Sequence, residues 1–329
     1  MHRLVGWAVS ALLVVALVGR VDVTDVARAL GAASLGGLVV AIGLVAVEVA
    51  LRAWRWRILL QGAGRPAGQV DVSVAYPRAV AYLCVGYFAN TLLPARLGDL
   101  GRAHLTGRDL GISRSTTLGT IVVERIADAG LILLTVLVLA LLTPAARIYA
   151  GPAVVIGAIG IGGGALGLLI LRVVRRRDPA RPGIIGRVAT FLTKIAAGAD
   201  AVRSRRGSAA IAGLTAVAFG FAVVQFWVVA GAVGLALTPM EAGIVMGTLA
   251  LSTAIPAAPG SLGTYELAGV TVLVALGAAP VPALAAVVLI HVIATVPPAL
   301  AGIVAFGRLQ LKLGDLRGPA SGESVAAAS

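Results

Sequence analysis

The chain has 329 residues, of which 59% are hydrophobic and 12% charged, and its formal net charge is +13. Soluble domains carry about 25% charged residues, so this composition excludes an ordinary soluble domain and indicates a polytopic helical membrane protein. The positive charge is typical of arginine-rich cytoplasmic loops, and we predict no nucleic-acid partner because no segment forms a soluble basic face.

Apolar segments recur along the whole chain. Residues 4–19 have the basic start and apolar centre of a signal peptide but no A-x-A cleavage site, so we expect an uncleaved first span. The further segments are residues 35–56, 79–95, 116–142, 151–171, 208–237, 241–256, 264–279 and 283–306. We predict an all-α membrane domain over residues 1–313 and a disordered tail over residues 314–329.

The basic residues between segments predict the orientation of the chain. Residues 52–78 include Arg52, Arg55, Arg57, Arg65 and Arg78, and residues 96–114 include Arg96, Arg102, Arg108 and Arg114. Both loops are therefore expected to be cytoplasmic, although only segment 79–95 separates them. We predict that this segment enters the membrane and turns back as a re-entrant hairpin.

The C-terminal half gives a second interrupted segment. The basic loop 172–206 and the basic residues after 306 are both expected inside, so residues 241–279 begin and end outside. They consist of two short apolar halves around "IPAAPGSLGTYE" (255–266), which form either a re-entrant pair or two complete crossings. The total is about six full spans plus two broken elements, with both termini cytoplasmic.

The two interruptions resemble each other. "TLLPARLGDLG" (91–101) and "TAIPAAPGSLG" (253–263) share six of eleven residues, and three spans lie between them. An odd number of spans gives the copies opposite orientations, an inverted repeat typical of secondary transporters, although an Ala/Gly/Leu-rich chain can also produce such a match by chance. The residues predicted to break the helices are Pro94, Gly98, Gly101, Pro256, Pro259, Gly260 and Gly263.

Broken helices and buried charges predict where a substrate binds. Orphan backbone groups cost several kcal/mol in lipid, so they indicate a cavity, and amide groups at a half-helix start attract anions. Glu124 and Asp128 share a helix face, which indicates either a functional site or a buried structural pair with Arg125 or Arg96. The predicted substrate-binding residues are Asn90, Arg96, Asp99, Arg102, Glu124, Arg125, Asp128 and Glu266.

Other polar and aromatic residues have simpler interpretations. Glu48 and Arg52 are one turn apart and predict an intrahelical pair, while Trp54 and Trp56 are typical of interfacial anchors. The single Cys84 is expected to be buried. The three histidines are scattered, so we predict structural hydrogen bonds for His104 and His291, with no metal site and no cofactor.

Three ordered motifs carry a resemblance to a known family. "N-x-x-x-P-x-R-x-G-D-x-x-R" (90–102), "E-R-x-x-D" (124–128) and "I-P-x-x-P-G-x-x-G-x-x-E" (255–266) resemble the flippase-like membrane family that includes the transmembrane region of lysylphosphatidylglycerol synthases. Ser261 stands where a glycine is common. Full-length synthases carry a soluble transfer domain after the membrane part, whereas this chain ends soon after residue 310, so synthase activity is not expected here.

The resemblance implies movement of a lipid between leaflets of the cell membrane. The expected substrate is an anionic phospholipid or a polyprenyl-linked precursor. Two alternatives stay open: an intramembrane enzyme that modifies a lipid head group, and a non-transporting partner of such an enzyme. A homo-oligomer is also open.

The re-entrant interpretation predicts a labelling pattern. With Cys84 replaced by Ser, single cysteines at Arg78 and Arg108 should both react with a membrane-impermeant thiol reagent from the cytoplasmic side, because both flank one re-entrant hairpin. A cysteine at Pro239 should react from outside. Labelling of positions 78 and 108 from opposite sides would make segment 79–95 an ordinary span.

Overall fold

The computed structural model describes residue 19 and residues 22–63, 73–93, 97–142, 184–253 and 259–311. These residues form ten α-helices and no strand. The helices are α1 (Val23–Gly31), α2 (Leu35–Ala63), α3 (Tyr76–Leu92), α4 (Leu97–Leu110), α5 (Arg114–Leu142), α6 (Ile184–Ala197), α7 (Arg205–Ala232), α8 (Pro239–Ser252), α9 (Thr264–Ala275) and α10 (Pro280–Arg308). The all-α prediction is therefore confirmed for the described part of the chain.

Three of the described helices are long and apolar enough to cross a membrane. They are α2, α7 and α10, with 29, 28 and 29 residues. At 1.5 Å per residue each is roughly 42 Å long, which exceeds the ~30 Å hydrocarbon core. Large apolar side chains such as Val39, Val224 and Leu300 are exposed along them, as expected for surfaces that meet lipid. The chain is thus a membrane protein.

The predicted segments correspond in part to these helices. Segments 116–142, 208–237 and 283–306 coincide largely with α5, α7 and α10, whereas segment 35–56 is extended to Ala63. Arg52, Arg55 and Arg57 therefore lie inside α2, and Arg102 and Arg108 lie inside α4, so their assignment to loops was wrong. The predicted spans 4–19 (apart from residue 19) and 151–171 and the tail 314–329 lie outside the described residues.

The described residues belong to two compact units. The first draws on Met1–Arg52, Ile126–Gly164 and Gly213–Pro298, and the second on Ala53–Arg125, Ala165–Ala212 and Ala299–Ser329. The core of the first unit contains Phe226, Leu249, Leu273 and Ile290, all fully buried. In the second unit, the apolar side chains of α3 and α4 pack against the end of α10, and Cys84 is buried and free, as predicted.

In the second unit, α3 and α4 form a hairpin of two short helices. They have 17 and 14 residues, and both are shorter than the hydrocarbon core. Gly98 lies against Asn90 while Arg102 lies against Gly86, so the two helices run antiparallel. Gly98 and Gly101 lie inside α4 and do not form the break between the helices; Pro94 and Arg96 lie outside the described residues.

In the first unit, α8 and α9 form a second pair of short, packed helices, with 14 and 12 residues. A capping box of Thr238 and Glu241 starts α8. Before α9 the backbone is left-handed at Gly260 (φ +71°), Ser261 (φ +59°) and Gly263 (φ +85°). The glycines adopt this conformation without steric cost, so Gly260 and Gly263 lie in a true interruption, whereas Pro256 lies outside the described residues.

The close contact of α3 with α4 predicts the effect of a single methyl group. A Cβ at Gly98 would lie 2.5 Å from the carbonyl oxygen of Gly86 and 2.6 Å from the amide nitrogen of Asn90. Because backbone atoms cannot move aside cheaply, Gly98→Ala should destabilise the protein by roughly 1–3 kcal/mol. Thermal unfolding in detergent should show a lowered Tm.

A matched control is Gly220→Ala, since a Cβ there meets no atom within 4 Å in the middle of α7. It should leave the Tm unchanged or raise it. Equal stability of the two variants would contradict the packing of α3 on α4.

Candidate functional site

Five side chains of the second unit form a buried group that we call the arginine cluster: Arg55, Asp99, Arg102, Glu124 and Arg125. Glu124 on α5 lies at its centre. Its Oε1 atom is 3.7 Å from the Nη2 atom of Arg55 on α2, and its Oε2 atom is 3.5 Å from the Nη2 atom of Arg102 on α4. All three residues are 1% exposed. One carboxylate therefore joins two buried guanidinium groups from different helices.

The cluster has a more accessible edge, formed by Asp99 and Arg125. Their side chains are 15% and 34% exposed, and Arg125 Nη2 lies 3.2 Å from Asp99 Oδ2 and 3.5 Å from Glu124 Oε1. Asn90 on α3 donates a hydrogen bond from Nδ2 to Asp99 Oδ1 at 3.4 Å. The ion pairs thus run from the buried centre to a partly exposed rim.

An aromatic ring supports the centre of the cluster. The guanidinium carbon of Arg102 lies 4.4 Å from the centroid of the Trp56 ring, within cation–π range. Trp56 is fully buried and donates from Nε1 to Thr120 Oγ1 at 3.1 Å. Trp54 is exposed, which is compatible with an interfacial anchor, but the same interpretation of Trp56 was wrong.

The buried polar atoms of this region without a hydrogen-bond partner among the described residues include Nε of Arg102 and Oδ1 of Asn90. A buried unsatisfied polar atom costs roughly 1–3 kcal/mol, so such atoms suit a site where a further group binds. Here one is a donor, suited to an anion, and the other is an acceptor.

A second ion-pair group lies in the first unit. Arg52 Nε is 2.7 Å from Glu48 Oε1, one turn away on α2, and Arg52 Nη1 is 3.6 Å from Asp128 Oδ2 on α5. The intrahelical pair of Glu48 and Arg52 is as predicted. Asp128 pairs with Arg52, a partner that the sequence analysis did not propose for it.

Glu266 lies at the second interruption, also in the first unit. Its Oε2 atom accepts a hydrogen bond from the amide of Gly263 at 2.6 Å, and its Oε1 atom contacts Nδ1 of His291 on α10. The other ring nitrogen of His291, Nε2, lies 2.8 Å from the carbonyl oxygen of Gly260. His291 therefore bridges the carboxylate and the irregular backbone before α9.

The structure brings together most of the predicted residues. Those that meet around the arginine cluster are Asn90, Asp99, Arg102, Glu124 and Arg125, whereas Asp128 and Glu266 have other partners in the first unit. Arg96 lies outside the described residues. The sequence analysis did not propose Arg55, Trp56 or His291 as site residues. For Arg55, the high apolar content of the surrounding sequence was the available signal that α2 continues beyond it. Among the described residues, no group of His, Cys, Asp and Glu suits a metal ion.

Comparison with known proteins identifies the family of the chain. A family model described as the lysylphosphatidylglycerol synthase TM region matches residues 3–302, nearly the whole chain. No curated protein matches the chain. The match spans all helices of the arginine cluster and most of α10.

The central position of Glu124 predicts a large loss of stability when its charge is removed. Glu124→Gln leaves the buried guanidinium groups of Arg55 and Arg102 without their shared carboxylate, at a cost of roughly 3–5 kcal/mol. Thermal unfolding in detergent should show a strongly lowered Tm. In the control Asp25→Asn, which removes an exposed pair with Arg28, the Tm should not change measurably. Similar Tm values for both variants would contradict a desolvated cluster.

Proposed function

Because the chain belongs to the family of the lysylphosphatidylglycerol synthase TM region, we propose that it is a flippase-like transporter of membrane lipids. Its substrate is a polar or anionic phospholipid, or a lipid-linked precursor, that it moves between the leaflets of the cell membrane. The observation that carries the proposal is the arginine cluster, in which Arg102 is buried with its Nε atom free of partners among the described residues. Arginine binds phosphate in a bidentate manner, so such a group is suited to a lipid phosphate.

The rim of the cluster offers an entry point for the phosphate. Arg125 and Asp99 are the most exposed members and are paired with each other. A phosphate that approaches Arg125 can replace the carboxylate of Asp99. One ion pair is then exchanged for another, and the guanidinium of Arg125 keeps an anionic partner throughout. Such an exchange keeps the desolvation cost of the buried arginines small during binding.

The head group beyond the phosphate meets other polar atoms. Oδ1 of Asn90 is a buried acceptor without a partner among the described residues, and it lies on the hairpin that carries Asp99 and Arg102. A hydroxyl or ammonium group of a head group can donate to it. The acyl chains would remain in the surrounding lipid, where the apolar helices are exposed.

The short helices support a path through the membrane. Neither α3 nor α4 is long enough to cross the hydrocarbon core, and the same holds for α8 and α9. Interrupted backbone at membrane depth is tolerated only beside protein or a watery cavity. We propose that the two pairs are re-entrant elements of an inverted repeat and that both termini are cytoplasmic.

The proposal is tested by measuring lipid movement in reconstituted liposomes. With a panel of fluorescent lipids, the protein should accelerate transbilayer movement of those with an accessible anionic phosphate. Arg125→Gln should slow this movement at least about tenfold, since a charge-assisted contact to the phosphate is lost.

Rates are compared per correctly folded molecule, so that loss of fold is not mistaken for loss of transport. The control Arg108→Gln, at a half-exposed position on α4, should move lipid at the normal rate. Well-folded Arg125→Gln protein with unchanged lipid movement would contradict the proposed role of the cluster. Chemical modification of the lipid head group without lipid movement would instead indicate an enzyme. If the protein neither moves nor modifies lipid, it is a non-transporting partner.

A further inference from the structure

The contact of Glu266 with His291 constrains the number of protons that the pair holds. The carbonyl oxygen of Gly260 only accepts, so Nε2 of His291 must carry a hydrogen in order to bond it at 2.8 Å. The contact from Nδ1 to the Glu266 carboxyl group needs one further proton, either on Nδ1 or on Oε1. Both arrangements contain one proton more than a carboxylate beside a neutral imidazole.

Removal of that proton breaks one of the two contacts. A neutral imidazole has one N–H group but faces two acceptors, the Glu266 carboxylate and the Gly260 carbonyl oxygen. If the hydrogen stays on Nε2, the lone pair of Nδ1 faces the carboxylate; if it moves to Nδ1, the contact with Gly260 is lost. Only the proton-bound pair can therefore hold the interruption before α9 at both points.

The surroundings of the pair contain few other titratable groups. The ring of Tyr265 on α9 lies 4.3 Å from the His291 ring, centroid to centroid. Glu48 on α2 acts electrostatically on Tyr265 and is itself paired with Arg52, which also contacts Asp128 of α5. The charged residue of α8 is Glu241, in the capping box of its first turn. None of these groups contributes a further proton to the two contacts of His291.

We propose that Glu266 and His291 form a proton-binding site that latches residues 260–263 before α9, so that loss of the proton releases them. The proton passes to water, and the charge of the pair changes from zero to −1. His291 on α10 then keeps only one of its two contacts: it loses either the carbonyl oxygen of Gly260 or the carboxylate of Glu266, which holds the amide of Gly263. If opening of the latch accompanies lipid movement, that movement is coupled to release of the proton. Only this last step rests on the proposed function.

The latch is tested by cysteine accessibility, without any lipid assay. In a Cys84→Ser background, a reporter cysteine replaces Thr264, the buried first residue of α9. A reference cysteine replaces Ala222, which is equally buried on α7. The ratio of the two labelling rates in detergent, which cancels the intrinsic reactivity of the thiol, should rise about tenfold as the pH is raised, with the shape of a single-proton titration.

Two variants separate the proton from the packing. Glu266→Gln satisfies every contact with neutral groups, because the amide oxygen accepts from Gly263 and the amide nitrogen donates to Nδ1 of His291. Its labelling ratio should stay low at every pH. His291→Ala removes the bridge, and its ratio should be high at every pH. The control His104→Gln, which replaces a different histidine, should keep the pH dependence of the parent protein.

Several results would overturn the latch. They are a labelling ratio in the parent protein that does not change with pH, or a pH dependence that survives in Glu266→Gln. If His291→Ala does not fold, Glu266→Gln still decides, since its contacts are conserved. If the labelling ratio depends on pH but the protein moves no lipid, the proton site is supported and the proposed function is contradicted. If the protein moves lipid but the labelling ratio does not depend on pH, the proposed function is supported and the proton site is contradicted.

Discussion

A charge inside a membrane protein must be paired, and this constraint explains most of the polar structure. Moving a guanidinium out of water costs several kcal/mol, and the carboxylate of Glu124, which lies between Arg55 and Arg102, offsets part of that cost for both. Trp56, which donates a hydrogen bond to Thr120, packs against the guanidinium of Arg102. Such a cluster stabilises the fold as long as it is intact, and it offers a phosphate the same contacts that a carboxylate makes. Under the proposed function, structural pairing and anion binding use one set of atoms.

The same reasoning applies to the interrupted backbone. In the second unit, α3 and α4 approach closely enough for Gly98 to touch the backbone of α3. The small residue at this position allows the two short helices to stabilise each other by close packing. In the first unit, the interruption before α9 is held by side chains: Glu266 caps the amide of Gly263, and His291 holds the carbonyl oxygen of Gly260. The two hairpins thus have similar lengths but different means of satisfying their backbone.

The sequence predicted the long apolar helices and the two interruptions because hydropathy, proline and glycine act locally. It placed α4 and α6 in the loops 96–114 and 172–206, because their charged residues are typical of loops. It also predicted the pair of Glu48 and Arg52, since residues one turn apart must meet. It did not predict that α2 continues to Ala63, because arginines at 52, 55 and 57 are typical of a loop and their burial depends on distant partners. The contact of Glu266 with His291 joins residues 25 positions apart, and only the tertiary packing of α9 and α10 creates it. Gly98 was assigned to a break although its role is close packing inside a helix.

The central claim is that the arginine cluster binds a lipid phosphate, and thermal stability in detergent tests it most directly. A ligand that binds only the folded state raises the Tm by an amount that grows with its concentration relative to its Kd. Added phosphatidylglycerol should raise the Tm of the parent protein more than phosphatidylcholine does, and Arg125→Gln should remove this difference while Arg108→Gln retains it. An equal response to the two lipids in the parent protein, or an undiminished difference in Arg125→Gln, would contradict the claim.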